Sequence, residues 1–206
     1  PYASIGEVRL RITAQAKDID AAKKLITPVE EEIRTREGTK CYGADDEKLA
    51  DVVLQLLRKR GETLCIAESC TGGGLGAALT EIPGSSDVFM GGVITYNNEL
   101  KSKILEVPES LIEELGAVSL PVVESMAKGV KALIGADWAI AITGLAGPTG
   151  ATSKKPIGLV DFCIAGPNSL QSNEKFFSAY HQRKAIQKLS ILQALNQLRL
   201  CILNQS

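Results

Sequence analysis

The chain has 206 residues, of which 45% are hydrophobic and 23% are charged, and its 23 basic against 24 acidic side chains leave a net charge of −1. These values are typical of a globular protein with room for one substantial domain and a small module. The balanced charge gives no electrostatic footprint for nucleic acid or an anionic membrane. No apolar run reaches the roughly 20 residues of a membrane-spanning helix, and the first residues lack the pattern of a signal peptide. We therefore expect a cytoplasmic protein, and the start at Pro1 predicts either a piece of a longer polypeptide or a processed chain.

The cysteine and histidine content narrows the possible chemistry. The five cysteines are scattered, odd in number and without a Cys-x-x-Cys motif, so neither a disulfide framework nor a zinc site is expected. The only histidine is His181. A multi-histidine metal site is therefore excluded, and a Ser-His-Asp triad requires His181 to lie beside the nucleophile.

Residues 1–44 have the pattern of a small α+β module. Polar and apolar residues alternate over residues 7–13, which predicts a half-buried strand, and Asp20 is the expected cap of a helix over residues 21–36. Pro28 predicts a kink in that helix, with two shorter helices as the alternative. A domain boundary is predicted near residue 44.

The rest of the chain, residues 45–206, alternates between helix and strand patterns. Helices are predicted over residues 45–60, 119–134 and 183–204, strands over 63–67, 88–96, 137–143 and 157–165, and a further helix after the Gly-rich segment 71–76. This alternation predicts an α/β domain whose sheet is covered by helices on both faces. A domain of about 160 residues ordinarily folds independently, so we expect this part to fold and function without the first module.

One turn combines the features of a functional site. The buried strand over residues 63–67 stops at Glu68, and Ser69, Cys70 and Thr71 follow where the Gly-rich helix opens. Unpaired N–H groups at a helix start can hold a phosphate or an oxyanion, and glycines let the backbone approach a ligand. The alternative is a plain helix cap followed by close-packed glycines. The run fits neither a P-loop nor a Gly-x-Gly-x-x-Gly motif.

Five motifs resemble, in the same order, those of one protein family. The first is Ala67-Glu68-Ser69-Cys70-Thr71-Gly72-Gly73, and the others lie over residues 92–101, 116–123, 143–148 and 155–158. Together they resemble the C-terminal domain of the CinA family (competence/damage-inducible protein A) over about residues 45 to 200, and residues 1–45 resemble the linking module of full-length members. The resemblance implies a nicotinamide-nucleotide amidohydrolase, a homo-oligomer, and an upstream nucleotide-processing domain that is expected to be missing here.

The resemblance also implies a role for each matching position. Ser69 is the implied nucleophile, Lys101 its general base and Tyr96 an assisting group, in the hydrolysis of nicotinamide mononucleotide to nicotinate mononucleotide and ammonia. A lysine can serve as a base where burial or a nearby positive charge lowers its pKa. The implied substrate-binding positions are Cys70, Thr71, Gly72, Gly73, Thr143, Gly144 and Arg183, and no metal or organic cofactor is expected. The plain alternatives are that Lys101 is a surface lysine at a helix start, that Tyr96 is a buried strand aromatic, and that residues 143–148 form a simple connecting loop.

The sequence departs from the family pattern near Arg183. Members usually carry Gly-Asp before this arginine, whereas the chain has His181-Gln182, and Gln187 replaces a later arginine. These departures favour an alternative function, a non-catalytic nucleotide-binding or regulatory module of a larger protein. A nucleic-acid-associated competence factor is disfavoured, because residues 1–45 carry neither a basic stripe nor a Gly-x-x-Gly clamp.

Overall fold

The structure, a computed structural model, describes residues 1–178, 180 and 182–205, so His181 lies outside the described residues. The chain divides into two compact units, residues 1–47 and residues 48–206. Within the described ranges, no helix combines the length and the apolar character that crossing a membrane requires.

The first unit begins with an antiparallel hairpin. Strand β1 (Tyr2–Ser4) pairs with strand β2 (Glu7–Arg9), and Gly6 with φ 86° makes the turn between them. The strand predicted over residues 7–13 is therefore too long. It ends at Arg9 because its partner strand offers only three residues to pair with.

A single helix follows, α1 (Ile19–Glu37), before a short 3₁₀ turn at Gly38–Lys40. The carboxylate of Asp18 accepts the N–H of Ala21 at 2.7 Å. The cap is therefore Asp18, two residues before the predicted Asp20. Pro28 lies inside α1 without dividing it, because one missing N–H removes only one backbone hydrogen bond.

The second unit is built on a five-stranded mixed sheet. Its strands are β3 (Leu64–Glu68), β4 (Phe89–Ile94), β5 (Trp138–Gly144), β6 (Leu159–Ala165) and β7 (Leu170–Phe176). Their order is β4-β3-β5-β6-β7, with β3 parallel to both β4 and β5, and with β6 and β7 antiparallel to their neighbours. The carboxyl ends of β3, β4 and β5 therefore meet at one edge of the sheet.

Helices cover both faces of this sheet, which confirms the predicted α/β class. They are α2 (Leu49–Arg60), α3 (Gly74–Thr80), α4 (Asn98–Leu105), α5 (Glu109–Leu115), α6 (Leu120–Ile134) and α7 (Arg183–Asn204), with a 3₁₀ turn at Ser85–Asp87. Helix α6 packs on β3, β5 and β6, while α7 packs on the opposite face of β5 and β6 together with α2. Helix α2 begins at Leu49 rather than at residue 45, because the Glu47 carboxylate accepts the N–H of Ala44 at 2.9 Å and forms a turn there.

The core under α6 is made of small side chains on the sheet. These are Cys65, Ala67, Ala139, Ala141, Cys163 and Ala165, all buried against α6. These small residues let α6 approach the sheet closely. In the same way, Gly129 lets α6 approach the end of α4. A Cβ at Gly129 would lie 2.1 Å from the carbonyl oxygen of Leu105. The close contact between α6 and the end of α4 therefore requires glycine, and it fixes the helix that carries Lys101.

Asp161 is a buried acid in the middle of β6. It is 0% exposed, and neither carboxylate oxygen forms a hydrogen bond with any described residue. Burial and the like charge of Glu174, opposed by Lys155, raise the pKa of Asp161 from 3.8 to about 6. The folded protein therefore holds the proton of this carboxyl more tightly than the unfolded chain does.

We expect Asp161→Asn to stabilise the protein above pH 6. Between about pH 4 and 6 the unfolded chain has released this proton while the folded protein retains it, so Asp161 lowers the free energy of unfolding as pH rises. A shift from 3.8 to about 6 corresponds to about 2 to 3 kcal/mol. Urea unfolding at pH 4 and pH 8, followed by the fluorescence of Trp138, the only tryptophan, measures the free energy of unfolding of both proteins.

The matched control is Glu113→Gln, the same acid-to-amide change at an exposed position of the same unit. The gain from Asp161→Asn should be present at pH 8 and absent at pH 4, and the control should show neither. A loss of stability at pH 8 contradicts this account of Asp161.

Candidate active site

The turn after β3 holds Ser69 at the edge where the parallel strands end. The N–H of Ser69 donates to the carbonyl oxygen of Ile142 on β5 at 3.0 Å, and the N–H of Thr95, just beyond β4, donates to that of Glu68 at 2.8 Å. The hydrogen-bonding pattern of the sheet thus continues on both sides of Ser69. Ser69 is 7% exposed, and its backbone is fixed between the ends of two neighbouring strands.

Glu68 organises the start of α3. Its carboxylate accepts the N–H groups of Gly73 at 3.1 Å, Leu75 at 3.0 Å and Gly76 at 2.8 Å. A carboxylate here also interacts favourably with the positive end of the helix dipole. The sequence left open whether this helix opening holds a phosphate or an oxyanion or is a plain helix cap, and in the structure the chain's own Glu68 accepts its N–H groups.

Gly72 and Gly73 shape the turn between Ser69 and α3. Both have left-handed backbones, with φ 62° and 96°, and the N–H of Gly72 donates to the carbonyl oxygen of Ser69 at 3.1 Å. A side chain at Gly73 would also approach Ile94 Cδ1 to 2.9 Å. Their predicted role in substrate binding is not tested by this geometry, but their N–H groups already have acceptors.

Two N–H groups of the turn stay available. Across the described ranges, the backbone N–H of Cys70 and that of Thr71 donate no hydrogen bond to another residue. They are consecutive and directly follow Ser69. This is the position from which backbone donors stabilise an oxyanion formed at a serine nucleophile.

Lys101 extends from the first turn of α4 to Ser69 and is 1% exposed. Its Nζ lies 3.3 Å from Ser69 Oγ, 2.8 Å from the carbonyl oxygen of Thr95 and 3.4 Å from Asn98 Oδ1. A neutral amine has two N–H groups and one lone pair. The oxygens of Thr95 and Asn98 can accept the two N–H groups, which leaves the lone pair for the hydroxyl proton of Ser69.

The surroundings of Lys101 favour its neutral form. Burial lowers the pKa of Lys101 below its ordinary 10.5, because a buried cation loses its hydration. None of the ion pairs among the described residues includes Lys101. The adjacent Cys70 opposes the shift only as a thiolate, and burial raises the pKa of the Cys70 thiol to about 12. Among the described residues, no counter-ion therefore holds the proton on Lys101.

A pocket of about 280 Å³ opens above the Ser69–Lys101 pair. Its lining is Ser69, Cys70, Tyr96, Asn98, Lys101, Ala117, Val118, Thr143, Gly144, Leu145, Ala146, Gly147, Thr149 and Arg183. The structure thus brings together all of the predicted site residues except Thr71, Gly72 and Gly73. No acidic side chain belongs to this described lining, so the pocket suits an uncharged or anionic ligand.

The open end of the pocket carries Arg183. The guanidinium donates to the carbonyl oxygen of Gly147 at 2.8 Å and to the hydroxyl of Tyr96 at 2.9 Å. Tyr96 is 58% exposed, so it is not the buried strand aromatic that was the plain alternative. Its hydroxyl is oriented by Arg183, and its predicted assistance to Lys101 stays a prediction.

Sequence reasoning missed three contributors to the site. Asn98 and the carbonyl of Thr95 receive Lys101, and Glu68 caps α3. Asn97 and Asn98 at the start of α4 gave a weak signal, since asparagine favours helix caps and the Asn97 side chain accepts the N–H of Glu99. For Glu68 no local rule applies, because its side chain reaches forward past two left-handed glycines.

Groups of three or more His, Cys, Asp or Glu side chains placed to hold a metal ion are not found in the described part of the chain. The predicted absence of a metal or organic cofactor stays a prediction.

The fold and the site together define a class, an α/β domain with a buried serine–lysine pair at the carboxyl edge of its parallel strands. The family model of the CinA C-terminal domain matches residues 46–202, and that of the damage-inducible protein CinA KH domain matches residues 1–43. The chain therefore belongs to the CinA family.

Individual relatives agree with this assignment. A CinA-like protein of Prochlorococcus marinus is 53% identical over 206 residues, and one of Parasynechococcus marenigrum is 50% identical, each match covering 100% of this chain and 49% of the relative. The chain thus spans about half the length of the curated relatives it matches.

Two solved structures show the same fold. The competence/damage inducible protein CihA from Agrobacterium tumefaciens has a TM-score of 0.73 at 34% identity, with 78% of this chain and 97% of that chain covered. The competence damage-inducible protein A (ComA) from Klebsiella pneumoniae has a TM-score of 0.74 at 32% identity, with 77% and 97% covered.

Proposed function

We propose that this chain hydrolyses the carboxamide of nicotinamide mononucleotide to nicotinate mononucleotide and ammonia. The observation that carries the proposal is the 3.3 Å distance between Lys101 Nζ and Ser69 Oγ, where the amine is buried and has no counter-ion in the described part of the chain. A neutral lysine beside a serine hydroxyl is an arrangement for nucleophilic catalysis. The activity that the family resemblance implies agrees with this chemistry.

In the acylation step, Lys101 Nζ takes the hydroxyl proton while Ser69 Oγ attacks the carboxamide carbon. The carbonyl oxygen becomes an oxyanion, for which the N–H groups of Cys70 and Thr71 are the available donors. The protonated Lys101 then gives its proton to the leaving nitrogen. Ammonia departs, and the nicotinate ester of Ser69 remains.

In the deacylation step, the same groups act on water. Lys101, neutral again, removes a proton from a water molecule that attacks the ester carbon, and the oxyanion forms in the same position. Lys101 then returns the proton to Ser69 Oγ as the ester bond breaks. Nicotinate mononucleotide is released, and both side chains regain their starting protonation states.

The phosphate of the nucleotide would bind Arg183. This guanidinium is the charged group at the open end of the described lining, and arginine binds phosphate through paired donors. Tyr96 supports it by accepting one of its N–H groups at 2.9 Å. The proposal thus assigns Tyr96 to the open end of the pocket, where the phosphate would bind. The association of several copies of the chain into a homo-oligomer stays a prediction.

The Ser69→Ala protein should remain folded and lose ammonia release from nicotinamide mononucleotide by about 1,000-fold or more, because the covalent intermediate cannot form. Lys101→Ala should be comparably severe. Lys101→Arg should not restore activity, because arginine stays protonated. Coupled ammonia detection together with circular dichroism measures both activity and folding.

The matched controls lie on α4. Ser102→Ala and Lys103→Ala change a serine and a lysine outside the pocket, and Lys103 is an exposed residue whose Nζ lies 3.3 Å from Glu99. Both should keep wild-type activity. If the wild-type protein binds the nucleotide without releasing ammonia, the regulatory alternative replaces the enzymatic one. If Ser69→Ala retains more than about a tenth of turnover, Ser69 is not the nucleophile.

The activity should rise with pH as Lys101 loses its proton. Because burial lowers the pKa of Lys101 below 10.5, kcat/KM should increase with pH, and the midpoint of this increase should lie below pH 10.5. The pH profile of kcat/KM reports groups of the free enzyme. A rate that is independent of pH, or that falls as pH rises through this region, would contradict the role of Lys101 as the base.

A further inference from the structure

Helix α7 contacts the site through one face. Arg183, Gln187 and Ile191 are four residues apart and therefore lie on the same side of the helix. Arg183 lies at the open end of the pocket, and Gln187 Nε2 donates to the carbonyl oxygen of Cys70 at 2.8 Å. Ile191 packs against Gly74, where an added Cβ would lie 2.8 Å from Ile191 Cδ1. The same face of α7 thus reaches both the open end of the pocket and the turn after Ser69.

The contact of Gln187 determines the direction of one backbone N–H group. The carbonyl of Cys70 and the N–H of Thr71 belong to one planar peptide, in which they point in opposite directions. A hydrogen bond that holds this carbonyl toward α7 therefore orients the N–H of Thr71 away from α7. This N–H is one of the two donors of the turn that form no hydrogen bond with a described residue.

The two peptides of the turn are held by different means. The carbonyl of Ser69, in the peptide that carries the Cys70 N–H, accepts the N–H of Gly72 at 3.1 Å within the turn itself. The carbonyl of Cys70 has no such local donor, and Gln187 supplies it from a distant part of the sequence. The orientation of the Cys70–Thr71 peptide therefore depends on a side chain, and a substitution can remove that side chain.

We propose that Gln187 is a positioning residue that fixes the N–H of Thr71 as an oxyanion donor. This inference rests on the proposed function. The structure thus assigns Gln187 to the nucleophile turn, one helical turn away from the phosphate end at Arg183.

The test uses a series of side chains similar in size. Gln187→Met removes the donor, and Gln187→Glu places a carboxylate against the carbonyl oxygen of Cys70. We expect kcat for nicotinamide mononucleotide to fall about 10- to 100-fold in the first and further in the second, since a lost oxyanion donor costs about 100- to 1,000-fold. KM should change by less than about threefold, because the lost interaction acts in the transition state. The control Gln193→Met makes the same change further along α7, outside the pocket, and should keep both constants.

A second measurement does not depend on the natural substrate. A fluorophosphonate probe reacts when Ser69 Oγ displaces fluoride from phosphorus while Lys101 takes the hydroxyl proton, and a phosphoryl oxygen then occupies the position of the oxyanion. Mass spectrometry gives the rate of labelling of Ser69. We expect this rate to fall in the order wild type, Gln187→Met, Gln187→Glu, with Gln193→Met equal to wild type.

The outcomes separate this inference from the proposed function. If the probe labels Ser69 in the expected order but no ammonia is released, the substrate assignment fails and the role of Gln187 stands. If ammonia is released and Gln187→Met retains wild-type kcat and labelling, the role of Gln187 is overturned. A rise in KM at constant kcat would also overturn it, because that pattern belongs to a binding residue. Absence of labelling in the wild-type protein would overturn it as well, because the role requires a reactive Ser69.

Discussion

The site depends on one constraint, the burial of the Lys101 amine beside Ser69 with no counter-ion from any residue that the structure describes. A lysine that is 1% exposed can remain buried at low cost only as a neutral amine with its N–H groups paired. The structure supplies the two acceptors from the end of β4 and the start of α4, at Thr95 and Asn98. The same arrangement leaves the remaining lone pair for the serine hydroxyl, so in the proposed mechanism the condition for burying the lysine is also the condition for activating the serine.

The rest of the second unit holds this pair in place. The parallel ends of β3, β4 and β5 bring Ser69, Thr95 and Thr143 to one edge. On one side of the sheet, the close contact at Gly129 packs α4 against α6. On the other side, α7 reaches the turn through Gln187. Glu68 accepts the N–H groups at the start of α3, so in the turn only the N–H groups of Cys70 and Thr71 have no acceptor in another described residue.

Sequence patterns predicted the frame of this unit better than its chemistry. The buried run before Glu68, the cap and stop signals of α6 and the apolar spacing of α7 predicted these elements closely, because such patterns depend on local sequence and burial. Strand β7 was missed, since its Leu170–Phe176 sequence is mostly polar and pairs at the sheet edge. The position of Lys101 next to Ser69 came from the family resemblance, and no local pattern predicts that a lysine is buried. The bonds of Glu68 and Gln187 join positions that only the three-dimensional fold brings together.

The most direct test of the account measures the protonation of Lys101 itself. In protein labelled with ¹³C at lysine Cε, an NMR titration follows each side chain with pH, and the Lys101→Arg protein identifies the signal of Lys101. We predict that Lys101 titrates below 10.5, because burial lowers its pKa. A Lys101 signal that titrates at 10.5 or above would contradict this prediction, because a lysine that keeps its proton cannot act as the base for Ser69.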